Sequence, residues 1–135
     1  MPGVPAGEGV RAGQAQGRER RGVMIAGDIV ITPGTDGPYH GLPALVLPKK
    51  GAYVEVWTGK YLLTYERAQL LPHGRVRRVR TYRTRKGKEF AQFNVNFGEE
   101  DYVVDVEVTD LQYKTEDLRK AAFLKALGRR AEEAP

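Results

Sequence analysis

Cysteine and serine are both missing from the 135 residues, and histidine occurs only at His40 and His73. Without cysteine there is no disulfide, no thiolate metal site and no cysteine nucleophile. Without serine the commonest hydroxyl nucleophile is gone as well. His40 lies in a Gly/Pro-rich loop and His73 between Pro72 and Gly74, so both read as turn residues. Neither has a partner at His-x-x-x-His spacing or in a ligand-spaced cluster of acids. Asp28, Asp36, Asp101, Asp105 and Glu107 supply carboxylates, but no spacing among them marks a metal site or an acid/base pair. The expectation is a chain with no cofactor, no metal and no catalytic residues. No apolar run approaches the ~20 residues of a membrane span, and the first residues lack the apolar core of a secretion signal. A cytoplasmic location with no membrane partner is expected.

What the sequence does have is positive charge in one place. Residues 75–88 (Arg-Val-Arg-Arg-Val-Arg-Thr-Tyr-Arg-Thr-Arg-Lys-Gly-Lys) hold eight of the 22 cationic side chains and no acid, whereas the other 121 residues carry 14 bases against 17 acids. The net charge of +5 therefore comes from this strip. Dense like charge costs self-repulsion, which a polyanion would relieve. Solubility alone needs only dispersed charge, so nucleic acid is the favoured partner over a solvated hairpin tip.

Residues 1–23 contain only Val4, Val10 and Val23 as larger apolar residues after Met1. That composition predicts a disordered leader. Glu19-Arg20-Arg21-Gly22-Val23 is compatible with a purine-rich run like a ribosome-binding site, which makes Met24 a candidate true start. From Gly27 the pattern turns to strands. Asp28-Ile29-Val30-Ile31-Thr32 stops at Pro33-Gly34, Leu42-Pro43-Ala44-Leu45-Val46-Leu47 stops at Pro48, Ala52-Tyr53-Val54-Glu55-Val56-Trp57 precedes Thr58-Gly59, and Tyr61-Leu62-Leu63-Thr64-Tyr65 follows. Strands this short and close predict a small barrel over residues 24–73. The run Gly27-Asp28-Ile29-Val30, the loop ending at Gly41, the strand through Val46, then Val54-Glu55-Val56 and Tyr65-Glu66-Arg67-Ala68-Gln69-Leu70-Leu71-Pro72 resemble the SH3-like barrel of KOW-type domains. Gly41 is followed here by Leu42-Pro43-Ala44, where such domains usually carry a small residue and a valine. The resemblance implies contact with RNA, other nucleic acid or a protein partner; SH3-like barrels also serve in redox complexes. Tyr39, Tyr53, Trp57 and Tyr61 are its candidate rim aromatics, and Trp57 suits either rim or core.

Residues 75–84, 89–97 and 102–108 predict a three-stranded meander within a second module, residues 74–113. Alternation gives the last two strands one apolar and one polar face: Ala91, Phe93, Val95 and Phe97 against Phe90, Gln92, Asn94 and Asn96, then Tyr102, Val104, Val106 and Val108 against Val103, Asp105 and Glu107. A two-residue Lys86-Gly87 turn would bury Arg78 and Arg80. A three-residue Arg85-Lys86-Gly87 loop with left-handed Gly87 instead pairs Thr84 with Lys88, Thr81 with Ala91 and Val79 with Phe93. In that register Arg77 is the charge on the apolar face, and Tyr82 beside Phe90, Arg80 beside Gln92 and Arg78 beside Asn94 share the open face. Rings and guanidinium planes stack bases, Arg neutralises phosphate and amides read base edges. Arg83, Arg85, Lys86 and Lys88 complete the expected site as a phosphate clamp. Tyr82 and Phe90 equally suit a cross-strand pair contributing up to about 1 kcal/mol. Thr84-Arg85-Lys86-Gly87-Lys88 with Phe90, Ala91, Phe93 and Val95 also resembles the opening hairpin of nucleic-acid OB folds.

Residues 99–110 carry six acids and no base. In a plain meander they lie beside the middle strand; beside the basic strand they would neutralise it. Thr115 is the predicted cap of a helix over residues 114–130, with Gly128 as its stop and Arg129-Arg130 at its negative end. Leu118, Ala122, Phe123 and Ala126 form its apolar side. Leu124 and Leu127 suit either the junction of the two β modules or another protein. The whole predicts a mostly β protein: a small SH3-like barrel, a three-stranded antiparallel meander and one C-terminal α-helix. The expected function is non-catalytic binding of RNA or single-stranded DNA. The alternative is a protein-interaction subunit of a transcription, translation or electron-transfer complex, working through the barrel.

Overall fold

A computed structural model describes residues 24–34, 37–48, 51–110 and 112–133. The expectations for residues 1–23 and for Asp36 lie outside them. Among the described residues, seven strands form a single antiparallel sheet: β1 (Asp28–Ile31), β2 (Pro43–Val46), β3 (Val54–Trp57), β4 (Leu62–Tyr65), β5 (Leu71–Arg83), β6 (Glu89–Phe97) and β7 (Glu100–Glu107), followed by one helix, α1 (Thr115–Glu133). The order across the sheet is β4-β3-β2-β1-β5-β6-β7. The mostly β class with one C-terminal helix is therefore as the sequence predicts.

β1 reads as a β-branched run because both of its faces are buried. Ile29 joins a core with Leu45, Leu47, Phe93, Phe97, Leu118 and Phe123 under the helix. Its neighbour Val30 points the other way, into a second core with Ala44, Val46, Val54, Val56 and Leu70. β6 and β7 are covered on one face only, and their burial alternates residue by residue.

β5 crosses the boundary expected between residues 73 and 74, so both halves of the sheet share one 13-residue strand. It pairs with β1 from Asp28↔Arg75 to Ile31↔Leu71 and with β6 from Gly74↔Phe97 to Arg83↔Glu89. Two irregularities let so long a strand bend. Against β1 the pairing jumps from Ile29↔Gly74 to Val30↔Pro72, leaving His73 as the extra residue. His73 is thus inside the strand rather than in the predicted turn, because its carbonyl accepts from the Gly98 N–H at 2.8 Å and holds the strand in place. Against β6 the jump lies between Arg78 and Arg80, which makes Val79 the bulged residue.

The helix binds the two halves together. Its buried residues are Leu118, Ala122, Phe123 and Ala126, the apolar side read from sequence. Phe123 lies 6.0 Å from Phe97 on β6 and 6.2 Å from Trp57 on β3, measured between ring centroids. Trp57 is consequently core-facing, with Lys120 Nζ 5.4 Å from its ring. Leu124 and Leu127 close over the β3–β4 turn at Gly59, whose position has space for a Cβ only 3.0 Å from Leu124 Cδ2. Leu127 packs against the core under the helix, whereas Leu124 stays 45% exposed.

Two predicted helix signals are corrected. The first helical hydrogen bond runs from Leu118 N–H to the Lys114 carbonyl at 3.0 Å, so Lys114 holds the cap position and Thr115 opens the first turn. Gly128 does not stop the helix, which continues to Glu133. Arg130 pairs with Glu100 at 3.1 Å and Glu133 accepts from the Tyr102 hydroxyl at 3.4 Å, contacts that hold the last turn beyond the glycine.

Candidate nucleic-acid interface

The hairpin between β5 and β6 turns through three residues. Thr84 N–H donates to the Lys88 carbonyl at 2.8 Å, Gly87 N–H to the Thr84 carbonyl at 2.9 Å, and Gly87 has φ +85°. Glycine adopts that left-handed conformation without a steric penalty, which fixes the pairs Tyr82↔Phe90, Thr81↔Ala91 and Arg80↔Gln92 as read from sequence.

Beyond Arg80 the Val79 bulge changes the outcome. Arg78, expected beside Asn94 on the open face, pairs with Phe93 on the helix-side face, its guanidinium 5.6 Å from the Phe93 ring. Arg77, expected on the apolar face, stands opposite Asn94 on the open face. Val79 does not meet Phe93 and is 56% exposed. The physical reason is parity. Val76 and Val79 are three residues apart, so a regular strand cannot turn both inward. The bulge sends Val76 in, opposite Val95, and spares the fold a buried Arg77.

Short turns on both sides of β6 then assemble the open face in four rows. They are Arg75-Asn96-Asp101, Arg77-Asn94-Val103, Arg80-Gln92-Asp105 and Tyr82-Phe90-Glu107, each running β5, β6, β7. One strand is basic, the middle strand neutral and the third acidic. Two strand spacings, about 10 Å, separate the outer bands. Among the described residues no ion pair joins a β5 arginine to a β7 acid. The connection is relayed: Arg80 Nε donates to Gln92 Oε1 at 3.2 Å, and Gln92 Nε2 donates to Asp105 Oδ1 at 3.1 Å. This chain fixes which way the Gln92 amide points.

The two rings on this face form the cross-strand pair, with centroids 5.6 Å apart and planes 16° from parallel. The Arg80 guanidinium lies 4.9 Å from the Tyr82 ring. Both rings are half-buried, which leaves accessible ring surface. Crowding by its neighbours, then the Asp105 carboxylate, raise the Tyr82 phenol above its ordinary value.

The remaining predicted residues divide. Arg85, Lys86 and Lys88 are exposed at the hairpin tip. Arg83 folds back so that Nη1 donates to the Gly87 carbonyl at 3.3 Å. Arg75, Arg77 and Asn96 were not among the residues predicted, yet they share the face and with Asn94 and Asp101 line a shallow cleft of about 260 Å³. Arg75 is tied to structure, since Nε donates to Asp28 Oδ1 at 2.9 Å while Asp28 Oδ2 accepts from the Ile25 N–H at 3.0 Å. The spacing of Val76 and Val79 was the one sequence signal that could have revealed Arg77.

Elsewhere, Tyr39 and Tyr61 meet edge to face at 4.7 Å, Lys60 Nζ lies 5.4 Å from the Tyr61 ring, and Tyr53 is 53% exposed. At the outer edge of β7, Arg129 Nη1 donates to the Val103 carbonyl at 2.7 Å and Lys125 Nζ to that of Asp105. Those cations cover backbone acceptors that would otherwise invite strand addition. No helix is long and apolar enough to cross a membrane, and no cluster of three or more metal-ligating side chains occurs, in both cases among the described residues. Comparison with protein-family models, curated proteins and solved structures returned no match.

Proposed function

We propose that the protein binds single-stranded nucleic acid, RNA or DNA, on the open β5-β6-β7 face and performs no catalysis. The observation that carries this reading is the in-register array of Arg77, Arg80, Tyr82, Phe90, Gln92 and Asn94 on a face that the helix leaves uncovered. Guanidiniums neutralise phosphates, amides meet base edges and rings offer stacking surface. Arg85, Lys86 and Lys88 extend the cationic strip to the tip. Arg78 lies on the other side of the same strand, so the strip wraps β5 rather than lying flat.

We read β1 to β5 as the SH3-like barrel. The order β4-β3-β2-β1-β5 and the 3₁₀ turn Arg67–Gln69 between β4 and β5 support that assignment. The second reading is a protein-interaction subunit, favoured by the exposed rim of Tyr39 and Tyr53 on this half.

The test is fluorescence anisotropy of labelled single-stranded RNA and DNA with the full chain across a salt series. Micromolar or tighter binding at about 50 mM salt, with a log-log slope reflecting about three or more phosphates, is expected. Phe90→Ala should weaken it by about 1–3 kcal/mol. Absence of binding at low salt, with the fold intact by circular dichroism, rejects the reading. Stoichiometric co-purification of one protein would then favour the second.

A further inference from the structure

We infer that the acidic band on β7 selects unpaired strands by repelling a second phosphate backbone, an inference that rests on the binding reading above. Asp101, Asp105 and Glu107 sit on the same face as the arginines, Asp101 in the row of Arg75, Asp105 in that of Arg80 and Glu107 in that of Tyr82. None of the three is consumed by a β5 arginine among the described residues. Asp101 accepts from Asn96 at 3.1 Å and Asp105 from Gln92 at 3.1 Å, hydrogen bonds that orient amides and leave the negative charge in place. The separation between bands decides what such charge does.

A strand whose phosphates follow β5 lays its bases across the neutral amides and rings of β6. Their pairing edges then point towards β7. A complementary strand paired to those edges would carry its own backbone over the carboxylates. A full base pair is wider than the gap of about 10 Å between bands, so the second backbone would pass on the β7 side of the sheet. One phosphate line is therefore attracted and the other repelled. A lone strand has only the attracted line, and its exocyclic amino groups can meet carboxylate oxygens, which accept from them.

The experiment compares one labelled oligonucleotide, alone and annealed to its complement, against the full chain. The wild type should favour the single strand. The variant Asp101→Asn, Asp105→Asn, Glu107→Gln keeps side-chain size and removes the band. Duplex affinity should rise about tenfold at about 50 mM salt, because each removed charge stood within a Debye length of the second backbone. Single-strand affinity should rise no more than about threefold, with its salt slope unchanged because its phosphate contacts are the same. A control with the same charge change, Glu55→Gln, Glu116→Gln, Glu132→Gln, should move both ligands equally. If the band variant also moves both equally, the inference falls while the binding reading stands. If the wild type binds neither ligand, both fall.

Discussion

Replacing Gly74 by alanine should remove a large share of the fold's stability, and the structure supplies the magnitude. A Cβ at Gly74 would lie 1.7 Å from the Asn96 carbonyl oxygen, 2.6 Å from its carbon and 2.9 Å from Oδ1. Two of these atoms are backbone and cannot rotate away. A carbon-to-oxygen contact needs about 3.3 Å, so β6 must retreat by about 1.6 Å. That retreat stretches the adjoining hydrogen bond from Gly98 to His73, 2.8 Å in the native sheet, past any useful length. Overpacking costs about 1–3 kcal/mol and each broken hydrogen bond about 1 kcal/mol, giving a loss near 4 kcal/mol. A domain holds only about 5–15 kcal/mol in total. With a urea slope of about 1–2 kcal/mol/M, the midpoint should fall by at least ~2 M. The paired measurement is Gly128→Ala. That glycine lies within α1, with nothing within 4 Å of its Cβ position, so the change should stabilise by about 0.5–1 kcal/mol. Both are read from urea melts followed by circular dichroism. A Gly74→Ala midpoint within about 0.5 M of wild type would refute the close approach of β5 to β6.

Phe123→Ala should cost about 3–5 kcal/mol by calorimetry and red-shift Trp57 fluorescence, since Phe123 is fully buried between Trp57 and Phe97. Deleting Val79 should leave a folded protein within about 1 kcal/mol of wild type, because the pairs Arg78↔Phe93 and Arg80↔Gln92 then become consecutive rungs of one ladder. A scrambled amide NMR spectrum would contradict the bulge assignment. An ultraviolet pH titration should find Tyr82 deprotonating above its ordinary value of 10.0, and Asp105→Asn should bring it down. The fold favours the neutral phenol, so this group's contribution to stability is complete below pH of about 10 and is lost as pH rises through the higher folded-state value.

Local pattern was enough for part of this molecule. β6 runs over the predicted residues 89–97, because apolar and polar residues alternate from Ala91 to Phe97 between two turns. The hairpin loop followed from Gly87 and from the cost of burying arginines in the other register. The face of α1 that packs inward was legible from the spacing of Leu118, Ala122, Phe123 and Ala126. β5 was harder, because its conformation is set by two neighbours at once. Pro72 and Gly74 look like punctuation around His73, yet Pro72 needs no hydrogen bond of its own and Gly74 admits the Asn96 carbonyl. What reads locally as a turn is a strand bent between β1 and β6.

The candidate site shows how one misplaced residue redistributes charge. With Val79 treated as a regular strand residue, every side chain from Arg78 back to Arg75 is assigned to the wrong face. No glycine or proline lies between Val76 and Arg80 to mark the bulge, so sequence patterning offered only the odd spacing of two valines. Correcting it moves Arg78 away from the open face and brings Arg75 and Arg77 onto it, with Arg75 in the row of Asp101 and Arg80 in that of Asp105 across a neutral strand. The acids had looked like a threat to the basic strip, because charges of opposite sign in one small protein tend to pair. With β6 between them they stay apart, and the face acquires direction: arginines along β5, carboxylates along β7, and neutral amides and rings on β6 between them.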